Sequence, residues 1–444
     1  MKINKFAIIL IGFILFFGLF STQINNTNYV SRENGKKSAD SSLSISNNAG
    51  CEWNRTWDKD GEDVAIYIKI DSSDNIYVTG ASNFQGSGMS LFLLKYNSSG
   101  NLQWNRTWAV TGDTLGYGIA FDSLDNIYVT GMSFNPPLVG PSSILLKYNS
   151  EGVLDWYRQF VIGDNSICSG IAIDSSNNIF LSGVVIFGTN EDILLVKCNN
   201  EGFVQWNRTW GGANQDVAFK IALDSLDNIY LAGTIDYFGG DSDICLVKYD
   251  SSGNKLWHSI RDEGNADMGW NVALDSSDDI YLVGSSGSFG STDACLIKFN
   301  SSGHHQWNRT WGGSNDDFVM GLEIDSSDNV FIGGSIDIAG FPMYGITGDI
   351  SLINYDNSGQ YQWNYTRRTS HHEGCHSIAL DSSEENIYLA GCSDEFGTND
   401  TLVIKYHLEK PGGGKEAIPG YNTILIFVIY SSFIAYFIKK RWKK

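Results

Sequence analysis

The five residues Trp-Asn-Arg-Thr-Trp stand at positions 53–57, 104–108, 206–210 and 307–311 of a 444-residue chain. Degenerate copies fill the gaps, so that Trp53, Trp104, Trp156, Trp206, Trp257, Trp307 and Trp363 recur every 50–56 residues. Asp71, Asp122, Asp174, Asp224, Asp275, Asp325 and Asp381 keep the same intervals. A glycine ending each Ile-Tyr-Val-Thr-Gly-like stretch runs in step: Gly80, Gly131, Gly183, Gly233, Gly284, Gly334 and Gly391. Three landmarks locked together over seven units define a repeat protein, and a period near fifty residues is that of a propeller blade.

Each unit reads as four short strands. Strand A is apolar and ends at the landmark aspartate, as in GIAID (170–174). The turn SSDN leads to strand B, as in IYVTG (76–80). A variable Gly-rich loop leads to strand C, as in DICLVKY (243–249), and a turn such as NSSGN (97–101) leads to strand D, LQWNRTW (102–108). Glycine supplies positive φ in such turns, while Asn, Asp and Ser bond their own backbone. The predicted fold is an all-β, seven-bladed β-propeller of four-stranded blades over residues 51–407. The first Trp strand precedes any A–B–C set, and the last set, ending at VIKYHLEK (403–410), lacks a Trp strand. Residues 51–57 should therefore pair with strand C of residues 401–407 and close the seventh blade, removing an exposed sheet edge.

The units W…DSSDNIYVTG…ILLKYNSSGNLQW resemble the SBBP β-propeller repeat family over residues 51–407. The resemblance implies a scaffold found in secreted and cell-surface proteins, and specifies no reaction. The stretch PGYN (419–422), followed by an apolar segment and lysines, resembles archaeal Pro-Gly-Phe sorting tails, with Tyr421 at the Phe position.

The chain ends fit export. Lys2 and Lys5 precede an apolar run from Phe6 to Phe20, the pattern of a signal peptide over 1–21, with an uncleaved N-terminal anchor as the alternative. Residues 22–50, rich in Ser and Asn, read as a disordered spacer. Residues 408–417 read as a Gly-rich linker. Residues 418–438 are long and apolar enough for a transmembrane helix, with a buried core helix as the alternative. The basic tail 439–444 places that end in the cytoplasm and the propeller outside. Without the basic residues of the two ends, 23 Lys and Arg face 50 Asp and Glu. A surface this acidic repels nucleic acid.

Few residues point to chemistry. The A–B turns stack acidic pairs such as Asp71/Asp74 and Asp275/Asp278 on one rim. These cap their own turns or, less in keeping with the spacing of a calcium loop, bind Ca²⁺. SHHEGCH (370–376) gathers His371, His372, Cys375 and His376, ligand types suited to Zn²⁺, in the D–A loop of the last blade. Cys375 and Cys392 fall on paired strands and are candidates for a disulfide, which an exported protein can keep. Cys245 and Cys295 occupy positions held elsewhere by Phe92, Ile144 and Leu194 and read as small core hydrophobes. Glycosylation sequons stand at Asn54, Asn97, Asn105, Asn207, Asn300, Asn308, Asn364 and Asn399. Lys69 and Glu323 break a column that is otherwise Ala120, Ala172, Ala222, Ala273 and Ala379, and should face the central channel. Their blades are not neighbours, which argues against a catalytic pair.

No catalytic triad or phosphate loop is visible. The expectation is a non-enzymatic cell-surface binding, adhesion or scaffolding module, anchored in the membrane by its C-terminal helix. An extracellular hydrolase or lyase acting on glycan or peptide is the alternative. The partner, an extracellular protein or glycan, should contact the face of the D–A and B–C loops, whose most divergent members are 132–143 and 336–349.

Overall fold

Strand A of each unit is lined with small or apolar residues, whereas strand D alternates exposed and half-buried ones, and the chain sorts them from axis to rim. In the computed structural model, seven four-stranded antiparallel sheets surround one axis, each with strands A to D in order from the inside. The structure describes residues 50–408, apart from residues 60, 84–87, 110–111, 135–139, 238–241, 263–265, 288–291, 314, 339–347, 372 and 396–398. Apart from Gly50 and Leu408, the expected signal, spacer, linker, span and tail lie outside the described residues. No helix among the described residues is long and apolar enough to cross a membrane.

The seventh sheet contains residues from both ends of the propeller. Its strands A (Glu373–Leu380), B (Asn386–Ser393) and C (Asp400–His407) are followed by Cys51–Trp57 as strand D. Trp53 lies opposite Lys405 and Trp57 opposite Thr401. Glu52 binds Lys405 at 2.6 Å, and the His407 amide donates to the Gly50 carbonyl at 2.7 Å. The ring is closed as the count of strands requires.

The WNRTW motif is a joint between blades. The first Trp of each copy lies under the C–D turn glycine of the next blade: Trp53 under Gly100, Trp104 under Gly152, Trp206 under Gly253, Trp307 under Gly359. A Cβ on Gly100 would lie 2.9 Å from the Trp53 ring, and its φ of +76° is one that glycine adopts without strain. The motif arginine stacks on that Trp and donates to the same glycine's carbonyl, as Arg55 Nε does to Gly100 at 2.9 Å. Arg106, Arg208 and Arg309 repeat the contact at 2.6, 2.9 and 2.7 Å. Where blade six meets the seam no such turn exists, and Tyr365 stacks on Tyr406 instead.

The landmark aspartates cap their own turns. Asp71 Oδ1 accepts from the amides of Ser73 and Asn75, while Oδ2 accepts from the Tyr77 hydroxyl and faces Lys95 at 3.9 Å. The second acid has a different role. Asp74, Asp125, Asn177, Asp227, Asp278, Asp328 and Glu384 all stand at φ of 54–62°, which Asp and Asn tolerate better than most residues. Each bonds a serine of the preceding blade: Ser72 Oγ donates to Asp125 at 2.6 Å, Ser225 to Asp278 at 2.7 Å, and Ser382 to Asp74 at 2.9 Å across the seam. In blade three Asn177 Nδ2 donates to Ser123 instead. Replacing Ser225 with Ala should lower stability by only about 0.5–1.5 kcal/mol, the ordinary worth of one hydrogen bond, as read by denaturant unfolding.

The third landmark answers to a defect shared by all seven inner strands. Each strand A shifts register at one shared place, between Ala65 and Tyr67 in blade one, Gly116 and Gly118 in blade two, and Ala218 and Lys220 in blade four; blade six has a second shift, between Asp316 and Phe318. The same shift stands at the corresponding place in the other four. The bulge pushes a strand-A carbonyl towards strand B, onto the landmark glycine. A Cβ there would lie 1.9 Å from the Val64 oxygen at Gly80, 1.9 Å from Leu115 at Gly131 and 2.0 Å from Val217 at Gly233. Glycine is required because backbone occupies the space.

Candidate functional site

A bulge lets two consecutive residues of strand A face the axis, so the seven strands line the lumen in layers. The bulged residues themselves are Ile66, Tyr117, Ser169, Phe219, Trp270, Met320 and His376. Most are large. Ile66, Tyr117, Phe219 and Trp270 join Leu115, Ile167 and Phe318 in one apolar cluster drawn from blades one to six. That cluster fills the lumen on the side of the D–A and B–C loops.

Below it the residues shrink. The next layer holds Gly118, Gly170, Gly321 and Ser377, and the layer after it the five alanines. Together they leave a cavity of about 390 Å³ towards the A–B turns. Five larger polar residues project into this cavity: Tyr67 and Lys69 from blade one, Lys220 from blade four, Asn271 from blade five and Glu323 from blade six. All are half-buried.

Their contacts run across the lumen. Lys220 Nζ donates to the Tyr117 carbonyl at 3.0 Å and sits 4.0 Å above the Tyr67 ring. Burial and the neighbouring Lys69 hold the Lys220 ammonium down at about 7. Tyr67 and Glu323 act the other way on Lys69, raising it against the effect of burial. Burial pushes up both the Glu323 carboxyl, opposed by Lys69, and the Tyr67 hydroxyl. Asn271 ties two blades, its Nδ2 donating to the Met320 carbonyl at 2.8 Å. Lys69 and Glu323 thus bias each other's charge although blade seven stands between their blades, without forming a contact ion pair. The pocket carries two lysines against one glutamate in a chain of net charge −20.

The residues of this site break the repeat of strand A from blade to blade. Lys69 and Glu323 were legible as breaks in an alanine column. Lys220, Tyr67 and Asn271 are breaks in the adjoining column of Gly118, Gly170, Gly321 and Ser377, which only the bulge brings to the axis.

The other candidate residues are dispersed. His371 is exposed and lies 3.8 Å from Asp394, whereas His376 turns inward, its Nδ1 2.7 Å from the Ala65 carbonyl, and burial lowers its basicity. Cys375 packs in a core cluster, and His372 lies outside the described residues. The paired-strand expectation for the cysteines is off by one residue: Cys375 opposes Gly391, and Cys392 opposes Gly374. Neighbouring positions of a strand face opposite ways, so the bulge after Cys375 separates the two thiols. Both are free, and burial raises each to about 12. Cys245 and Cys295 are buried core residues as expected.

Among the sequons, Asn105 and Asn207 are exposed, and Asn54, Asn308, Asn364 and Asn399 are half-buried. Asn97 and Asn300 use their side-chain oxygens to cap C–D turns. Among the described residues, Asp243, Asp262 and Asp267 converge between blades four and five, with ligand oxygens within 4.8 Å of one another. This all-oxygen set is of the kind that suits a hard cation and supplies three of the 6–8 oxygens that Ca²⁺ takes.

A closed seven-bladed β-propeller with a plugged lumen is the class of protein these features define. Residues 109–135, which contain strands A and B of blade two, match the SBBP β-propeller repeat. An uncharacterized WD repeat-containing protein of Acanthamoeba polyphaga mimivirus is 27% identical over 128 residues, covering 23% of this chain and 9% of that protein. This chain thus spans about a tenth of that relative's length. An ulvan lyase bound to -[GlcA(1-4)Rha3S]- superposes with a TM-score of 0.53 at 10% identity, over 80% of this chain and 96% of the lyase. A Trypanosoma rangeli sialidase in complex with sialic acid gives 0.45 at 9% identity, over 83% and 59% of the two chains. The likeness to the lyase, at this identity, is likeness of fold.

Proposed function

We propose that the chain is a non-enzymatic binding module displayed outside the membrane, whose small-ligand site is the lumen pocket. One observation carries this reading: five polar residues break two otherwise small-residue columns at one place, inside a cavity closed at its far end. Scaffold requirements account for the repeated Trp, Asp, Ser and Gly and for the motif Arg where it occurs, but not for these five. A volume near 390 Å³ falls within the usual range of ligand pockets. The larger partner, an extracellular protein or glycan, is assigned to the face of the D–A and B–C loops, where the units diverge most. Residues 1–21 direct export, and 418–438 hold the propeller at the cell surface with 439–444 in the cytoplasm.

A panel of glycans and extracellular proteins probed with the intact chain tests the reading, run beside a variant with loops 132–143 and 336–349 shortened and a second carrying Lys69→Ala and Lys220→Ala. Binding lost in the first variant supports the loop face, and binding of small ligands lost in the second supports the pocket. Retention of every interaction by both variants overturns the assignment. The enzymatic alternative, a hydrolase or lyase on glycan or peptide, is favoured by one feature, an amine titrating near neutrality beside a tyrosine. Turnover of any panel member that Lys220→Ala abolishes would replace the binding reading with it.

A further inference from the structure

The described lining of the lumen pocket holds three charged side chains, Lys69, Lys220 and Glu323. Lys69 and Glu323 act on one another across the axis. Lys220 has no such partner: its neighbours are the Tyr117 carbonyl, the Tyr67 ring and the ammonium of Lys69. Among the described residues no carboxylate forms an ion pair with Lys220; the acids of the strands packed on its own, Glu191, Asp192 and Asp267, stand at the strand ends on the loop side, and the lumen imidazole of His376 is engaged by Ala65. A cation in a low-dielectric cavity without a counter-charge is costly, and an anion entering from solvent supplies one. The wall around it, built of alanines and of Ile171 and Ile221, is apolar and holds the rest of a ligand.

Resting on the reading of the lumen as a ligand site, we propose that the pocket takes a small monocarboxylate, its carboxylate at Lys220 and its apolar body against the alanine wall. A single negative charge balances the pocket, whereas a dianion would leave it negative. The neutral amide of the same acid offers no charge to Lys220 and is rejected. Because the protonated amine is the form that binds, ligand and proton binding are linked. Affinity is greatest below about pH 7, where Lys220 is charged in the free pocket, and falls as pH rises above it.

Calorimetry on the full-length chain with acetate, butyrate and benzoate against acetamide, butyramide and benzamide tests this directly. At least one acid should bind at pH 6 tenfold or more tighter than its amide, and should weaken at least tenfold by pH 9. Lys220→Met should abolish that preference. Lys220→Arg should keep the acid bound while removing its pH dependence, because a guanidinium stays charged throughout. Unchanged thermal melting of both variants separates loss of binding from loss of fold. Equal binding of acid and amide would overturn the carboxylate assignment while leaving the lumen as a ligand site. Binding of no probe by the folded chain, or acid binding indifferent to Lys220→Met, would overturn the assignment as well, with the loop-face reading judged separately by its own panel.

Discussion

A chain that begins at Asp58 is expected to lose most of its stability, whereas one that begins at Asn48 melts like the intact propeller. Residues 51–57 supply the outer strand of the seventh blade, so their removal exposes the edge of residues 400–407. Trp53 and Trp57 also cover the cluster shared by blades seven and one, packing near Tyr388 and Phe92. Burial of large aromatic side chains stabilises by roughly 1.5–3 kcal/mol each when complete, and these two are half-buried. Loss of the strand ladder, the Glu52–Lys405 pair and the Arg55–Gly100 bond adds to it. Against a typical domain stability of roughly 5–15 kcal/mol, the remaining propeller should be marginal or open. Differential scanning calorimetry of the two chains, both ending at Glu409, reads the effect. Equal melting temperatures would mean that the ring closes without its N-terminal strand.

Gly131→Ala should be comparably severe although it adds a single methyl group. The new Cβ would lie 1.9 Å from the Leu115 carbonyl oxygen and 2.9 Å from its carbon, so the inner-strand bulge of blade two must shift. That bulge sets Tyr117 and Gly118 on the axis, and moving it disturbs the lumen plug as well as the sheet. The expected loss exceeds about 3 kcal/mol, at the far end of single-substitution effects. Gly313→Ala serves as control: its Cβ would meet nothing within 4 Å, and the change should stay within about 0.5 kcal/mol. Urea unfolding of both variants at one temperature compares them. A mild effect at Gly131 would mean that the bulge is pliable.

Repetition made the architecture legible. Strand order, blade number and the N-terminal closure all follow from counting pieces in the sequence, because each unit must bury its faces against the next. The capping role of Asp71 and its equivalents was legible for the same reason: side chains four residues from their target bond locally. The partners of Asp74 and of the motif Trp were not, since Asp125 bonds Ser72 and Trp53 meets Gly100 only after blades are placed side by side.

The pocket was half legible. Lys69 and Glu323 stand out from a column of alanines, but whether residues of blades one and six can interact depends on the width of the lumen. Lys220 was hidden by the bulge, which shifts strand A by one position and brings a second column to the axis. The same shift misplaced the expected opposition of Cys375 and Cys392. Register irregularities leave no mark in hydrophobic alternation when both neighbours are small, as at Gly116 and Gly118. Strand A was readable as a strand, while its inward face became definite only with its partner in place.

Lys220 stands in the lumen without a carboxylate partner, and its own titration measures this most directly. NMR of lysine side-chain carbons, with Lys220→Arg to assign the resonance, should show the Lys220 amine titrating near pH 7, well below the ordinary lysine value of about 10.4. Addition of a monocarboxylate that binds should move that midpoint upward by one unit or more, since the charged form gains a partner. A Lys220 midpoint near 10 in the free protein, unmoved by carboxylate, would contradict the account: the lumen would then be an open, solvated channel.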